Sequence, residues 1–193
     1  MKTRYALAFA FVLSAVVPAS SQTEAGVTVY GAFSSQPNGI AIACVLNCPI
    51  GADHVNAGVG IEGLISHSFA NLHLASLSIE LPVLAIPDRG TNSPGASFST
   101  LAVTPDLRLN IVPHAPITPF LSAGGGIVHF SGNTPSATKG AVAFGGGVDM
   151  KTAVPLLNVR IAVKDLVTPW PSILPKSGVM NNVLVGGGVV LRF

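Results

Sequence analysis

Charged side chains are rare in this sequence, and those within its apolar segments keep to alternate positions. Only 9% of the residues are charged. Residues two or four apart in a β-strand lie on the same face, so Asp106 shares a face with Arg108, and Arg160 shares one with Lys164. Acids and bases on one face can form ion pairs. The residues predicted to do so are Glu62, Glu80, Asp106, Asp149, Arg108, Arg160, Lys164 and Arg192.

The first 21 residues have the composition of a secretory signal peptide. Lys2 and Arg4 precede an apolar run over residues 6–17, and small residues follow Pro18. The run is shorter than the roughly 20 apolar residues that span a bilayer as a helix, so cleavage and export are expected. Cleavage is predicted before Gln22, with cleavage after Ala25 left open. The mature domain is predicted to cover residues 22–193.

Two cysteines, Cys44 and Cys48, provide a second candidate chemistry. An exported protein meets oxidising conditions, which favour a disulfide between them. Free thiols are one alternative. A metal site with His54 as a third ligand is another, although two thiols without a second pair are a weak metal signal. Neither a metal nor a cofactor is predicted.

The hydropathy of the mature chain favours a membrane β-barrel. The mean hydropathy of the whole sequence is +0.60, yet no mature segment offers 18 uninterrupted apolar residues. Only helices and closed barrels satisfy the backbone hydrogen bonds inside a bilayer. The predicted fold is therefore all-β, an eight-stranded antiparallel up-and-down transmembrane β-barrel. Its strands are predicted near residues 26–33, 54–66, 71–84, 98–111, 119–130, 140–150, 157–167 and 182–193.

The connections between these strands alternate in length, which predicts which end of the barrel faces outward. Long connections are predicted at 34–53, 85–97, 131–139 and 168–181, and short turns near 67–70, 112–118 and 151–156. Outer-membrane barrels have long external loops and short periplasmic turns. Aromatic residues are predicted to form rims at both interfaces. The predicted outer rim contains Phe33, Phe98, Phe130 and Trp170, and the predicted periplasmic rim contains Phe69, Phe120 and Phe193.

Alternation places the eight charged residues inside the barrel. Eight strands leave an interior just wide enough for side chains to fill, so the acids and bases are expected to pair across it. A plugged lumen is predicted. A narrow pore is the alternative, because glycines on the inner face could leave gaps that water fills. A secreted, soluble β-sandwich with solvated surface charges is a further alternative.

The last strand carries a sequence pattern of its own. Gly188, Leu191 and Phe193 fit the signal that the outer-membrane assembly machinery reads, whereas Gly186 misses its polar position. With this strand, the chain from about Gly26 to Phe193 resembles the small eight-stranded outer-membrane barrels of the OmpA/OmpX type. The resemblance implies a Gram-negative outer membrane, insertion by the barrel assembly machinery, and contact with lipopolysaccharide.

Some eight-stranded barrels are enzymes, and one short motif raises that possibility here. His129-Phe130-Ser131 resembles the His-any-Ser arrangement of the lipid A deacylases, in which a downstream Glu orients the His so that it can activate the Ser. Residues 132–148 contain no acid, and the first downstream acid is Asp149. The predicted protein is therefore not an enzyme, and lipid A modification remains an alternative.

Recognition is predicted to reside in the four external loops. Their charges are scattered singly, at Asp53, Asp88, Arg89, Lys139 and Lys176, so no basic patch marks a nucleic-acid partner. The expected partners are membrane lipid and an unnamed molecule at the loops. A monomer is expected.

Overall fold

The computed structural model describes residues 22–35, 55–72, 74–90, 97–132, 136–169 and 179–193. Regular structure in these ranges is β-strand, as expected where apolar and polar residues alternate with a period of two. The strands are β1 (Thr23–Ser35), β2 (Gly58–Leu72), β3 (Ala75–Gly90), β4 (Ser97–Val103), β5 (Asp106–Ile111), β6 (Ile117–Gly132), β7 (Ala137–Lys151), β8 (Leu157–Pro169) and β9 (Val179–Arg192).

These strands close into one antiparallel barrel. Strands β1 to β3 pair in chain order, as do β6 to β9, and β1 pairs with β9 from Glu24 opposite Arg192 to Ser35 opposite Asn181. Segments β4 and β5 both pair with β3 and with β6, so they are two parts of one barrel strand. The strand is interrupted at Pro105, which has no N–H to donate. The predicted eight-stranded up-and-down barrel is confirmed.

The outward face of the barrel is apolar. Its large aliphatic side chains are about half exposed, as are Phe33 and Phe144. Typical members are Val29, Ile61, Ile65, Ile79, Leu107, Leu121, Ile127, Ile161, Val185 and Leu191. The described residues contain no helix that is long and apolar enough to cross a membrane. The outward face therefore has the composition that lipid contact requires.

The barrel has two distinguishable ends. The turns at 112–116 and 152–156 lie at one end, called the turn end here. Strands β1, β3, β6 and β8 finish at the other end, called the loop end. Buried charges concentrate toward the turn end, and buried apolar side chains, among them Phe98, Phe130 and Met180, fill the loop end.

The predicted strand boundaries differ most from the structure in β2 and β3. Strand β2 continues through the predicted turn at 67–70 to Leu72, and β3 extends to Gly90. The β2–β3 ladder continues past a bulge between Ser68 and Ala70, where the hydroxyl oxygens of Ser68 and Ser78 lie 2.8 Å apart. Hydrogen-bonded strands can extend beyond the hydrocarbon layer, so membrane thickness underestimates their length.

The predicted aromatic rims are also only partly present. Phe33 and Phe193 point outward, at 41% and 63% exposure. Phe98, Phe120 and Phe130 are buried in the interior instead. Phe98 has the parity of the inward Thr100 on β4, and Phe120 and Phe130 have the parity of the inward Thr118 and Ser122 on β6, so alternation within each strand decides their direction.

Several predicted features lie outside the described residues. These are the signal peptide at residues 1–21, the cysteines Cys44 and Cys48, His54, the predicted loop residues Asp53 and Lys176, and the predicted rim residue Trp170.

Candidate functional site

The interior near the turn end is a network of ion pairs centred on two arginines. Arg108 on β5 is fully buried. Its Nη1 donates to Glu80 Oε1 at 2.6 Å, and its Nη2 donates to Asp149 Oδ2 at 2.5 Å. Because Glu80 lies on β3 and Asp149 on β7, one guanidinium links strands on different sides of the lumen.

Arg160 is the second arginine of this network. It lies opposite Asp149 in the β7–β8 ladder. Its Nε donates to Asp149 Oδ1 at 2.8 Å, and its Nη2 donates to Oδ2 at 3.0 Å. A two-point contact of this kind is the strong form of an arginine–carboxylate pair. Arg160 Nη1 also reaches Glu80 Oε1 at 3.4 Å, so the two arginines share both acids.

An aromatic ring completes the packing of the two guanidinium groups. The Cζ of Arg108 lies 4.0 Å from the centroid of the Phe120 ring, and the Cζ of Arg160 lies 4.8 Å from it. A desolvated cation over an aromatic face gains about 2 kcal/mol. The ring thus occupies the lumen beside the ion pairs and stabilises both cations.

Glu24 connects this network to the closing seam of the barrel. It lies opposite Arg192 in the β1–β9 ladder, and Arg192 Nε donates to Glu24 Oε1 at 2.7 Å. Its other oxygen, Oε2, is 3.5 Å from Arg108 Nη1. Glu24 was not among the predicted residues because β1 begins three residues earlier than expected. It has the parity of Thr28 and Tyr30, so the alternation could have found it.

A smaller cluster lies next to the network, toward the loop end. Lys164 Nζ lies 3.0 Å from Glu62 Oε2 and 3.1 Å from Asp106 Oδ2. The Tyr30 hydroxyl donates to Glu62 Oε1 at 3.2 Å. One ammonium group therefore bridges carboxylates from β2 and β5, and all eight predicted charged residues lie inside the barrel in ion-pair contact.

Arg89 is a further interior residue that the sequence interpretation missed. It is 1% exposed. Its Nη1 donates to Asn182 Oδ1 at 2.7 Å, and its Nη2 donates to Ser34 Oγ at 2.6 Å. Residue 89 was placed in an external loop, but it lies at the end of β3, and the β-bulge between Ile86 and Arg89 turns its side chain inward.

Apolar side chains fill the interior at the loop end. The rings of Phe98 and Phe130 pack edge to face, with centroids 5.9 Å apart. Ile86, Leu166 and Met180 are among their fully buried neighbours in the same core cluster. The lumen thus has a charged section and an apolar section in series.

Inward glycines make room for large partners on the neighbouring strand. A Cβ on Gly186 would lie 2.6 Å from Tyr30 Cδ1, and one on Gly147 would lie 2.9 Å from Phe120 Cζ. Both contacts are too short for real atoms. Around these positions, side chains occupy the space that the glycines leave in the lumen.

The residues of the C-terminal pattern have different positions in the barrel. Gly188 faces inward, and a Cβ there would lie 2.7 Å from Thr28 Oγ1. Leu191 and Phe193 are exposed on the outward face. The Phe193 N–H donates to the Thr23 carbonyl oxygen at 2.8 Å, which joins the end of the chain to β1.

The His-any-Ser motif lies on the outward wall, and both of its polar side chains have hydroxyl partners. The Nδ1 of His129 is 2.8 Å from Thr138 Oγ1, and the hydroxyl oxygens of Ser131 and Ser99 are 2.8 Å apart. Among the described residues, no group of three His, Cys, Asp or Glu side chains is arranged to hold a metal ion.

Comparison with known proteins finds similarity in structure. No family model and no curated protein sequence matches this chain. The crystal structure of Neisserial surface protein A superposes with a TM-score of 0.56 at 12% identity, covering 89% of this chain and 97% of that chain. The outer membrane enzyme PagL gives a TM-score of 0.53 at 14% identity, covering 84% of this chain and 97% of that chain.

A third solved structure extends the same pattern. The outer membrane protein OprG from Pseudomonas aeruginosa gives a TM-score of 0.51 at 12% identity, covering 92% of this chain and 98% of that chain. At such identities the similarity concerns the fold, and fold alone does not determine activity. The chain therefore has the fold of the small eight-stranded outer-membrane β-barrel proteins.

Proposed function

We propose that this protein is a non-enzymatic integral protein of a Gram-negative outer membrane, with a plugged lumen and external loops that form its recognition surface. The observation that carries the proposal is the pairing of Arg108 with Glu80 and Asp149 across the interior of a barrel with an apolar outer wall. A buried charge without a partner is costly. A barrel with paired charges inside and an apolar surface outside is consistent with a structural protein embedded in a lipid bilayer.

The two sections of the lumen support a plug over a pore. Water-filled channels occur in larger barrels, whereas eight strands enclose an interior that side chains can fill. Here Phe98 and Phe130 pack together at the loop end, and Arg108 and Arg160 stack on Phe120 at the turn end. An ion would have to pass both sections.

Conductance of the refolded protein in a planar bilayer tests the plug. We expect no single-channel steps above those of a protein-free bilayer. Replacing both Phe98 and Phe130 with Ala, in protein whose gel mobility still shifts on boiling, provides a comparison with a widened loop end. Regular conductance steps from the wild-type protein would contradict the plug and favour the pore.

The location in the membrane has its own test. A closed barrel resists mild detergent, so the unboiled protein should migrate differently from the boiled protein on a gel. A soluble protein with identical mobility before and after boiling would instead support the secreted β-sandwich. Contact with lipopolysaccharide, insertion by the barrel assembly machinery and a monomeric state are parts of the same proposal.

The absence of enzyme activity is tested at Ser131. PagL, an enzyme, has a similar fold. If this chain were an enzyme of that kind, His129 and Ser131 would be its candidate base and nucleophile. The contacts of His129 with Thr138 and of Ser131 with Ser99 favour a structural role, because a general base needs a hydrogen bond to its nucleophile. Lipid A mass spectra should be identical for cells with wild type and Ser131→Ala. A lost or shifted acyl chain in wild type alone would identify an enzyme.

A further inference from the structure

A pocket lies at the turn end of the barrel, beside the turn at 152–156 that joins β7 to β8. Its volume is about 310 Å³. The lining includes two basic residues, Lys151 and Arg192, and three exposed apolar residues, Val154, Leu156 and Phe193. Basic groups and apolar side chains therefore meet in one depression at the rim of the barrel.

Lys151, the last residue of β7, is the exposed cation of this pocket. Its Nζ donates to the His114 carbonyl oxygen, in the turn at 112–116, at 2.8 Å. An ammonium group has three N–H donors, so this contact positions Lys151 and leaves its other donors for a ligand. The Nε of Arg192 donates to Glu24 Oε1 at 2.7 Å, and the Arg192 side chain is 14% exposed. Lys151 is therefore the group that can meet an anion.

The acids near this end of the barrel already have other partners. Glu24, Glu80 and Asp149 are buried, and each pairs with an arginine. Among the described residues, none of the carboxylates forms an ion pair with Lys151. An exposed cation without an acidic neighbour attracts anions from its surroundings.

The apolar residues of the pocket belong to a turn that is closed by its own hydrogen bonds. Thr152 Oγ1 donates to the Leu157 carbonyl oxygen at 2.8 Å, and the Leu157 N–H donates to the Val154 carbonyl oxygen at 3.3 Å. Val154 and Leu156 are nevertheless 57% and 60% exposed. Contact with acyl chains would remove this apolar surface from water. The anion that suits the pocket is therefore one that also carries hydrocarbon.

We propose that this pocket binds an anionic phospholipid of the inner leaflet, with its phosphate against Lys151 and its acyl chains beside Leu156 and Phe193. The inference rests on the proposed function, which makes the turn end periplasmic and so places it in the phospholipid leaflet. The phosphate is common to all these lipids, so the remainder of the head group decides the selection. Lys151 repels the ammonium group of a zwitterionic lipid, whereas the glycerol of phosphatidylglycerol has no positive charge.

Native mass spectrometry of the refolded protein in detergent tests the selection. Phosphatidylglycerol and phosphatidylethanolamine with identical chains are added in turn. We expect about threefold greater retention of phosphatidylglycerol, the factor that one partly exposed ion pair provides. Glycerol phosphate, which has the phosphate without acyl chains, should not be retained. Its retention to the same extent as phosphatidylglycerol would assign the pocket to a soluble anion and contradict the lipid.

Three variants locate the site. Lys151→Gln should abolish the preference, and Lys151→Arg should retain it because the charge remains. Lys139→Gln is the matched control, since Lys139 is the other lysine of β7 and lies at the loop end; it should keep the preference. Equal retention of the two phospholipids by wild type, or a preference that survives Lys151→Gln, would overturn the proposal. A missing mobility shift of the wild type on boiling, measured before lipid is added, would instead refute the barrel.

Discussion

Asp149 and Arg160 lie opposite each other on β7 and β8 and form a two-point ion pair, with Arg160 Nε 2.8 Å from Asp149 Oδ1 and Nη2 3.0 Å from Oδ2. Both residues are buried. Arg108 approaches the same carboxylate from β5, so three strands meet at Asp149. The pair is therefore a junction of the interior network.

The first prediction concerns this junction. Arg160→Ala should lower the free energy of unfolding by about 3 kcal/mol, because it removes one partner of a buried pair and leaves charge uncompensated. Urea unfolding of the refolded protein in lipid vesicles measures the change. The double variant Arg160→Met with Asp149→Leu should lose less, since it removes both charges. A midpoint for Arg160→Ala equal to that of wild type would contradict the interior assignment.

The second prediction concerns the seam between β1 and β9. Glu24→Ala removes the partner of Arg192 and a contact of Arg108. We expect a loss of about 2 kcal/mol in the free energy of unfolding, within the usual effect of removing one side of a charged hydrogen bond. Thr23→Ala, at the adjacent position on β1, is the control and should change stability little. Equal midpoints for the two variants would show that Glu24 does not stabilise the seam.

The third prediction concerns the inward glycines. Gly186→Ala should destabilise the barrel by about 3 kcal/mol, because a Cβ there would meet the Tyr30 ring and the Val29 carbonyl oxygen and overpacking forces the backbone to shift. Gly63→Ala is the control, since a Cβ at Gly63 has no neighbour within 4 Å. Thermal unfolding in detergent compares the two. Tolerance of Ala at both positions would contradict the close approach of β1 and β9.

The fourth prediction concerns the end of β9. Phe193→Ala should lower the amount of barrel in the outer membrane of cells while export continues, if Phe193 belongs to the signal read by the assembly machinery. Its side chain is 63% exposed, so the refolded variant should retain nearly wild-type stability in vitro. Phe33→Ala, another outward phenylalanine, is the control in both assays. Equal membrane levels for both variants would remove this role from Phe193.

The fifth prediction concerns a strained turn. Val112 has a φ of 51°, a left-handed conformation that a β-branched residue rarely adopts. Val112→Gly should stabilise the protein by about 1 kcal/mol, because glycine adopts this conformation without a steric penalty. Val154→Gly, in the turn at 152–156, is the control and should not stabilise. A lower unfolding midpoint for Val112→Gly would show that side-chain contacts at Val112 outweigh the strain.

The alternation of side chains along a β-strand made the charged faces predictable from the sequence. A β-strand turns alternate side chains to opposite faces, so parity was enough to predict that Asp106 shares a face with Arg108 and that Arg160 shares one with Lys164. Alternation within each strand would also have placed Phe98 and Phe120 inside, because they share a face with Thr100 and Thr118, respectively. They were assigned to membrane rims because residue type was given more weight than alternation.

The alternation fails where the ladder is irregular. Ile86 and Arg89 are separated by an odd number of positions, yet both are buried, because a β-bulge lies between them. A bulge inserts one unpaired residue and reverses the parity beyond it. Pro87 lies in this bulge and has no N–H to donate to the ladder. A proline after an apolar segment is equally typical of a loop, so the inward direction of Arg89 required the structure.

The sequence by itself determined the class of fold and the face on which most charged residues lie, because hydropathy and period-two alternation are local properties of the chain. Only the tertiary structure decided the partners: that Arg108 binds Glu80 and Asp149, that Glu24 meets Arg192 across the seam, and that Phe120 lies under two guanidinium groups. These pairings depend on how far each strand is shifted along its neighbour when the sheet closes. That shift is set by all the strands together and is not encoded in any one segment.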